Sequence, residues 1–182
     1  NTFIFYFGDH GGVLPRSKGY IYESGLHVPL VVHVPEKYRH LVSQQPGTRQ
    51  DGFVQFVDFA PTVLNLAGVD IPETMDGTPF LGPGVAVEEV EKREEAFGHA
   101  DRFDEKYDLC RSLRKGKYKY IRNYHSYYPD GLQNNYRYRM LAYTEWRELS
   151  RAGELNAAQD QFFRRRPAEQ LFDLEADPHE VN

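Results

Sequence analysis

Cysteine is almost absent. Cys110 stands alone among 182 residues, so no disulfide can close within the chain. That excludes a small stapled scaffold but not an exported protein, because a core of this size can fold without staples. Long hydrophobic runs are missing as well. No stretch approaches the ~20 apolar residues that a membrane-spanning helix needs, which excludes a span. Positive charge is in deficit: 22 Lys and Arg against 27 Asp and Glu leave a net charge of −5. That balance argues against a nucleic-acid binder driven by phosphate contacts. Tryptophan occurs once, and there is neither an internal repeat nor a low-complexity tract. No signal peptide is visible, and the chain opens inside what reads as a buried strand. The expectation is therefore the C-terminal part of a longer polypeptide, with the upstream part as its partner.

What is present suits a packed domain. Apolar residues make up 40%, with 13 Tyr and 12 Phe, enough for one ordinary domain or a large and a small one. Residues 2–7 form a near-continuous apolar run, which predicts a strand buried on both faces of a parallel sheet. Residues 28–34 predict a second strand, closed by Pro35. Phe53, Phe56, Val57, Ala60, Val63, Leu64 and Ala67 recur at helical spacing. Pro61 forbids one unbroken helix through residues 53–67. A helix with Asp58 as N-cap, Pro61 in the first turn and Gly68 past the end satisfies both constraints, and leaves 53–57 extended.

Residues 69–84 read as loop, and the acidic segment 88–95 as an exposed boundary. Beyond it, 95–99, 110–113 and 118–122 read as strands, the last two around a turn at Lys115-Gly116. Helices are expected over 136–151, ended by Gly153, and over 157–163. A last strand follows at 171–174. The basic clusters at 111–119 and 164–166 read as solvated surface.

Chemistry concentrates at the first strand's end. There Gly8-Asp9-His10-Gly11-Gly12 puts a carboxylate and an imidazole at the mouth of a sheet, where open α/β sheets place their sites. The glycines allow a sharp turn and close approach to a ligand. A carboxylate and a neutral imidazole are good ligands for a divalent cation. Lys18, a few residues on, has the charge to hold an anionic ester and stabilise developing negative charge.

The line from Gly8 through Asp9, His10, Gly11, Pro15 and Lys18 to Tyr22-Glu23-Ser24-Gly25-Leu26-His27-Val28-Pro29 resembles the sulfatase family, within the alkaline-phosphatase-like superfamily. The likeness continues at 57–68 and 111–123, and returns in Leu171-Phe172-Asp173-Leu174-Glu175-Ala176-Asp177-Pro178-His179-Glu180-Val181-Asn182. The blocks keep the family's order and span nearly the whole chain. The resemblance implies an α/β fold: the C-terminal part of an alkaline-phosphatase-like parallel sheet with helices over 1–90, then a small antiparallel-sheet-plus-helix subdomain over 91–182. It implies Asp9 and His10 as ligands of one divalent cation, Ca2+ in most members, and Lys18 as the catalytic contact to the sulfate group. It places the start of the C-terminal subdomain at the substrate cleft, so that His99, Arg102 and Asp104 would bind a sulfated small molecule or glycan. His27 and the aromatic segment 124–128 are further candidates for the pocket, against packing roles.

The family's nucleophile is a formylglycine made from Cys or Ser in a Cys/Ser-x-Pro-x-Arg motif, upstream of the Asp-His-Gly element. Cys110-Arg111-Ser112-Leu113-Arg114 is a near miss, with Ser112 where Pro is required. Cys110 reads as a packing residue in a strand. The 182 residues alone are therefore expected to be inactive, with cation binding weak or absent. Two other readings stay open. A phosphatase or phosphodiesterase of the same superfamily would use an unmodified Ser or Thr and two transition metals, which a His ligand favours over calcium on first principles. A non-catalytic binding module would have no nucleophile at all.

Overall fold

The computed structural model describes all 182 residues. In chain order the elements are β1 (Ile4–Phe7), α1 (Glu23–Leu26), β2 (Leu30–His33), α2 (Phe59–Ala67), α3 (Val87–Glu91), β3 (Glu95–Phe103), β4 (Lys106–Lys115), β5 (Tyr118–Asn123), α4 (Leu141–Ala152), α5 (Ala157–Asp160) and β6 (Glu169–Asp173). No helix is long and apolar enough to cross a membrane. Packing divides the chain into two units, Asn1–Tyr6 with Leu30–Ala96, and Phe7–Pro29 with Phe97–Asn182. The Asp-His loop groups with the C-terminal residues, because its anchoring hydrogen bonds run to them.

In the first unit β1 and β2 form a two-stranded sheet. Phe5, Leu30 and Val32 face a core built on Phe80, Leu81 and Val90. Ile4 and Tyr6 alternate to the other side and are 55% and 69% exposed. The strand is thus covered on one face only, not on both. The α2 helix forms as its sequence dictates, with Asp58 preceding it, Pro61 in its first turn and Gly68 left-handed at φ 69. Asp58 does not cap the helix with its side chain. Its carboxylate instead accepts the amides of Gln55 and Thr78, each at 2.9 Å, and residues 56–58 wind into a 3-10 turn rather than staying extended. The acidic boundary is also more than surface: α3 lies there, and its Val90 is 1% exposed in the core.

The second unit holds a four-stranded sheet in the order β3-β4-β5-β6, with β4–β5 and β5–β6 antiparallel. Lys115 pairs with Tyr118, so the hairpin turn is Gly116-Lys117, one residue later than the sequence suggested. Gly116 takes φ 54, which a two-residue hairpin turn demands. Strand alternation sends Cys110 and Ile121 inward, where they meet Phe172 from β6, Tyr143 from α4 and Phe162 just after α5. Tyr20, Ile21 and Tyr22 of the long loop join the same core. The helix expected over 136–151 starts later, at Leu141 after a 3-10 turn, and ends at Gly153 as its left-handed φ of 73 allows.

Candidate functional site

The loop between β1 and α1 carries three of the residues singled out in the sequence. Asp9 and His10 leave the strand end into solvent and are both exposed, while Lys18 is half-buried. The loop is folded tightly on itself. Gly11, at φ 70, lies so close to the far limb that a Cβ there would sit 2.1 Å from the Ser24 carbonyl oxygen. Ser17 Oγ donates to the Ser24 carbonyl at 2.7 Å, and Ser24 Oγ donates back to the Arg16 carbonyl at 2.6 Å. The Lys18 amide bonds the Gly12 carbonyl at 3.2 Å, which closes the limb that carries Asp9 and His10 against Lys18.

As a cation site, these residues are incomplete. Calcium takes about 6–8 oxygen ligands. Asp9 and His10 offer two donor side chains, and the chain contains no group of three or more His, Cys, Asp or Glu that could hold a metal ion. The residues present therefore do not by themselves fit a calcium site.

The other candidates lie on the sheet. His99 is exposed on β3. Arg102 and Asp104 meet at the strand's end, where Arg102 Nε donates to the Asp104 carbonyl at 2.6 Å and its guanidinium lies 4.8 Å from the Tyr107 ring centre. Asp104 has a left-handed φ of 51. Both residues shape the turn into β4, and both remain exposed. His27 is neither buried nor enclosed, and pairs only with Glu23 at 3.7 Å. In the aromatic segment, Tyr127 and Tyr128 pack on each other at 4.5 Å while Tyr124 and Tyr127 stay half-exposed.

Cys110 is enclosed, as a packing residue should be. Burial, with the neighbouring Asp108 carboxylate, pushes its thiol up to about 12, which leaves no thiolate for nucleophilic attack near neutrality. Around it lies a buried ion network that sequence reasoning missed. Arg166 donates to Asp108 Oδ1 at 2.8 Å and pairs with Asp130 at 3.3 Å, and Lys106 reaches Asp108 at 2.8 Å. Burial opposes the charged Asp108, yet Lys106 and Arg166 hold its carboxyl well below the usual carboxylate range. A second buried cluster was missed too: Lys119, 1% exposed, lies 2.8 Å from Glu180 and 3.2 Å from Glu23. The signal for both was strand alternation. It puts Lys106 and Asp108 on the face of Cys110, and Lys119 on the face of Ile121, so each charge had to be buried with a partner.

A family model described as N-sulphoglucosamine sulphohydrolase, C-terminal, matches residues 8–135. An ulvan-active sulfatase of Formosa agariphila is 40% identical over 184 residues, covering 100% of this chain and 29% of its own length. Human N-acetylglucosamine-6-sulfatase is 36% identical over 87 residues, 44% of this chain and 14% of its own. Among solved structures, a 2-O GAG sulfatase superposes with a TM-score of 0.57 at 16% identity, over 99% of this chain and 31% of that one. A structure in complex with its substrate D-glucosamine-2-N,6-O-disulfate gives 0.54 at 18%, over 90% and 25%. The chain spans less than a third of the length of each of these proteins.

Proposed function

The chain belongs to the sulfatase family whose C-terminal part the N-sulphoglucosamine sulphohydrolase model describes, and from that premise we propose that it is the C-terminal portion of an enzyme hydrolysing sulfate esters of a carbohydrate. One observation carries the reading. The family match opens at Gly8, so the Asp9-His10 doublet and Lys18 fall inside the matched residues. In this reading Lys18 holds sulfate oxygens and stabilises the negative charge that builds on them as the sulfur–oxygen ester bond breaks. A hydroxyl of the formylglycine hydrate forms the new bond to sulfur as the ester bond breaks. The ester bond's electron pair goes to the carbohydrate oxygen, which takes a proton from a general acid outside these residues and leaves as the alcohol. Loss of the second hydroxyl proton then expels sulfate and restores the aldehyde. His99, Arg102 and Asp104 bind the sugar and its further anionic groups. The nucleophile, a formylglycine, lies outside these 182 residues. Asp9 and His10 contribute two donors to a calcium site whose other ligands are also outside, so the 182 residues alone do not turn over and bind the ion weakly or not at all. The division of labour follows 1–90 as catalytic-domain residues and 91–182 as the smaller subdomain.

The test is release of inorganic sulfate by the complete protein, measured by ion chromatography. Ulvan and N-acetylglucosamine 6-sulfate are the first substrates, chosen from the names of its relatives. Sulfate release that Asp9→Ala abolishes while the fold is retained supports the reading. Release of phosphate but not sulfate from matched monoesters overturns it in favour of a phosphatase.

A further inference from the structure

His179 and Glu180 grip both limbs of the loop that bears Asp9, His10 and Lys18. Arg16 sits two residues before Lys18. Its Nη1 donates to the His179 carbonyl at 2.8 Å and its Nη2 to the Glu180 carbonyl at 2.9 Å. On the other limb, the Glu23 amide donates to Glu180 Oε2 at 2.7 Å. A single residue, Glu180, thus holds Arg16 through its main chain and Glu23 through its side chain. It is only 2% exposed. Its other oxygen lies 2.8 Å from Lys119 Nζ, and Lys119 also reaches Glu23 at 3.2 Å. Arg114 adds an ion pair to Glu23. Two cations and two carboxylates therefore balance in one cluster, in which Lys119 and Glu180 are buried. The cluster joins three of the stretches that carried the family resemblance: Tyr22-Glu23-Ser24, the β5 strand and Pro178-His179-Glu180.

The backbone points to the same contact. Three non-glycine residues have positive φ, and two of them are Arg16 (φ 60) and Glu180 (φ 54), the two sides of this clasp. Left-handed backbone in such residues persists where surrounding contacts over-determine it. The tail's own turn is fixed by Asp177, whose Oδ2 accepts the amides of Val181 at 2.7 Å and Asn182 at 2.8 Å.

We infer that Glu180 and Arg16 are positioning residues: the segment 177–182 is a clasp that sets the shape of the Asp9–Lys18 loop. The inference deepens the sulfatase reading by naming what holds its proposed site residues in place. The experiment uses the complete protein with Glu180→Gln and, separately, Arg16→Met, followed by amide hydrogen exchange. Exchange over residues 9–25 should rise about tenfold or more in each variant, with β5 unchanged, because the opening is local. The turnover number on the sulfate ester should fall about 10–100-fold, the scale of a site group displaced by an ångström, with Arg16→Lys restoring part of it. Should Glu180→Gln fail to fold, Arg16→Met decides alone. Wild-type exchange over 9–25 in the folded variants overturns the clasp, as does acceleration spread evenly across the core. Localised exchange in a protein without sulfatase activity upholds the clasp and removes the function proposed above.

Discussion

Arg166→Leu is the most informative single perturbation of stability. The Arg166 side chain is 5% exposed and touches two carboxylates, Asp108 at 2.8 Å and Asp130 at 3.3 Å. It also donates to the carbonyls of Tyr128 and His125. With leucine in its place, Asp108 keeps Lys106, but Asp130 keeps only the Tyr22 hydroxyl at 2.7 Å. A cluster of two cations and two anions becomes one cation and two anions, all buried. Leaving a buried charge without its partner costs about 3–5 kcal/mol, a large share of the ~5–15 kcal/mol that holds a typical domain folded. Urea unfolding followed by Trp146 fluorescence reads this directly, because the indole stacks on Phe162 in the same core at 4.3 Å. The pH dependence gives a second check. Asp108 has a depressed folded-state pKa, so its stabilising contribution is fully present above the ordinary carboxylate value near 4 and is lost as pH falls below it. In the variant one of the two cations is gone and the depression shrinks, so less remains for acid to remove. The gap between the two proteins should therefore narrow as pH is lowered below about 4. A cost under about 1 kcal/mol at pH 7, the range of an exposed ion pair, or a gap that does not narrow in acid, would refute the reasoning.

The Cys110 thiol, pushed up to about 12 by burial and Asp108, should resist iodoacetamide at pH 8 in the folded protein and react once urea unfolds it. Gly11→Ala places a Cβ 2.1 Å from the Ser24 carbonyl at a φ of 70. It should cost about 1–2 kcal/mol or more and speed protease cleavage within residues 9–25. Phe162→Ala empties a site that is 2% exposed and packed against Tyr20, Tyr143 and Trp146, and should cost about 3–5 kcal/mol in the same urea assay. Asp9→Ala alters an exposed side chain and should change stability by less than about 0.5 kcal/mol, which separates its predicted loss of activity from unfolding.

Local signals carried much of the fold. Asp58, Pro61 and Gly68 delimit one helix so narrowly that few alternatives exist, and Gly116 and Gly153 mark a turn and a helix end by their backbone freedom alone. The expectation that residues 2–7 are buried on both faces failed, because an apolar run does not say how many neighbours cover it; here only the Phe5 side packs. Met140 delays α4 because extended backbone there (ψ 131) precludes an earlier start. At the candidate site, Asp9, His10 and Lys18 stood out in the sequence because they share one short loop. Glu180 did not, since Arg16 and Glu23, which it holds, lie over 150 residues away in sequence and nothing local distinguishes it from any acidic residue after a turn. Lys119 was closer to legible: a lysine in step with Ile121 on a strand has nowhere to go but inward.

The clasp also imposes an order in time. The hydrogen bonds from Arg16 reach across 163 and 164 residues, so they cannot form until residues 179 and 180 have been synthesised. At roughly 5–20 residues per second, translation leaves that loop without its anchor for about 10–30 s. A chain cut short before residue 179 would lack both carbonyls that Arg16 holds, and its Asp9–Lys18 segment would never be fastened in this way.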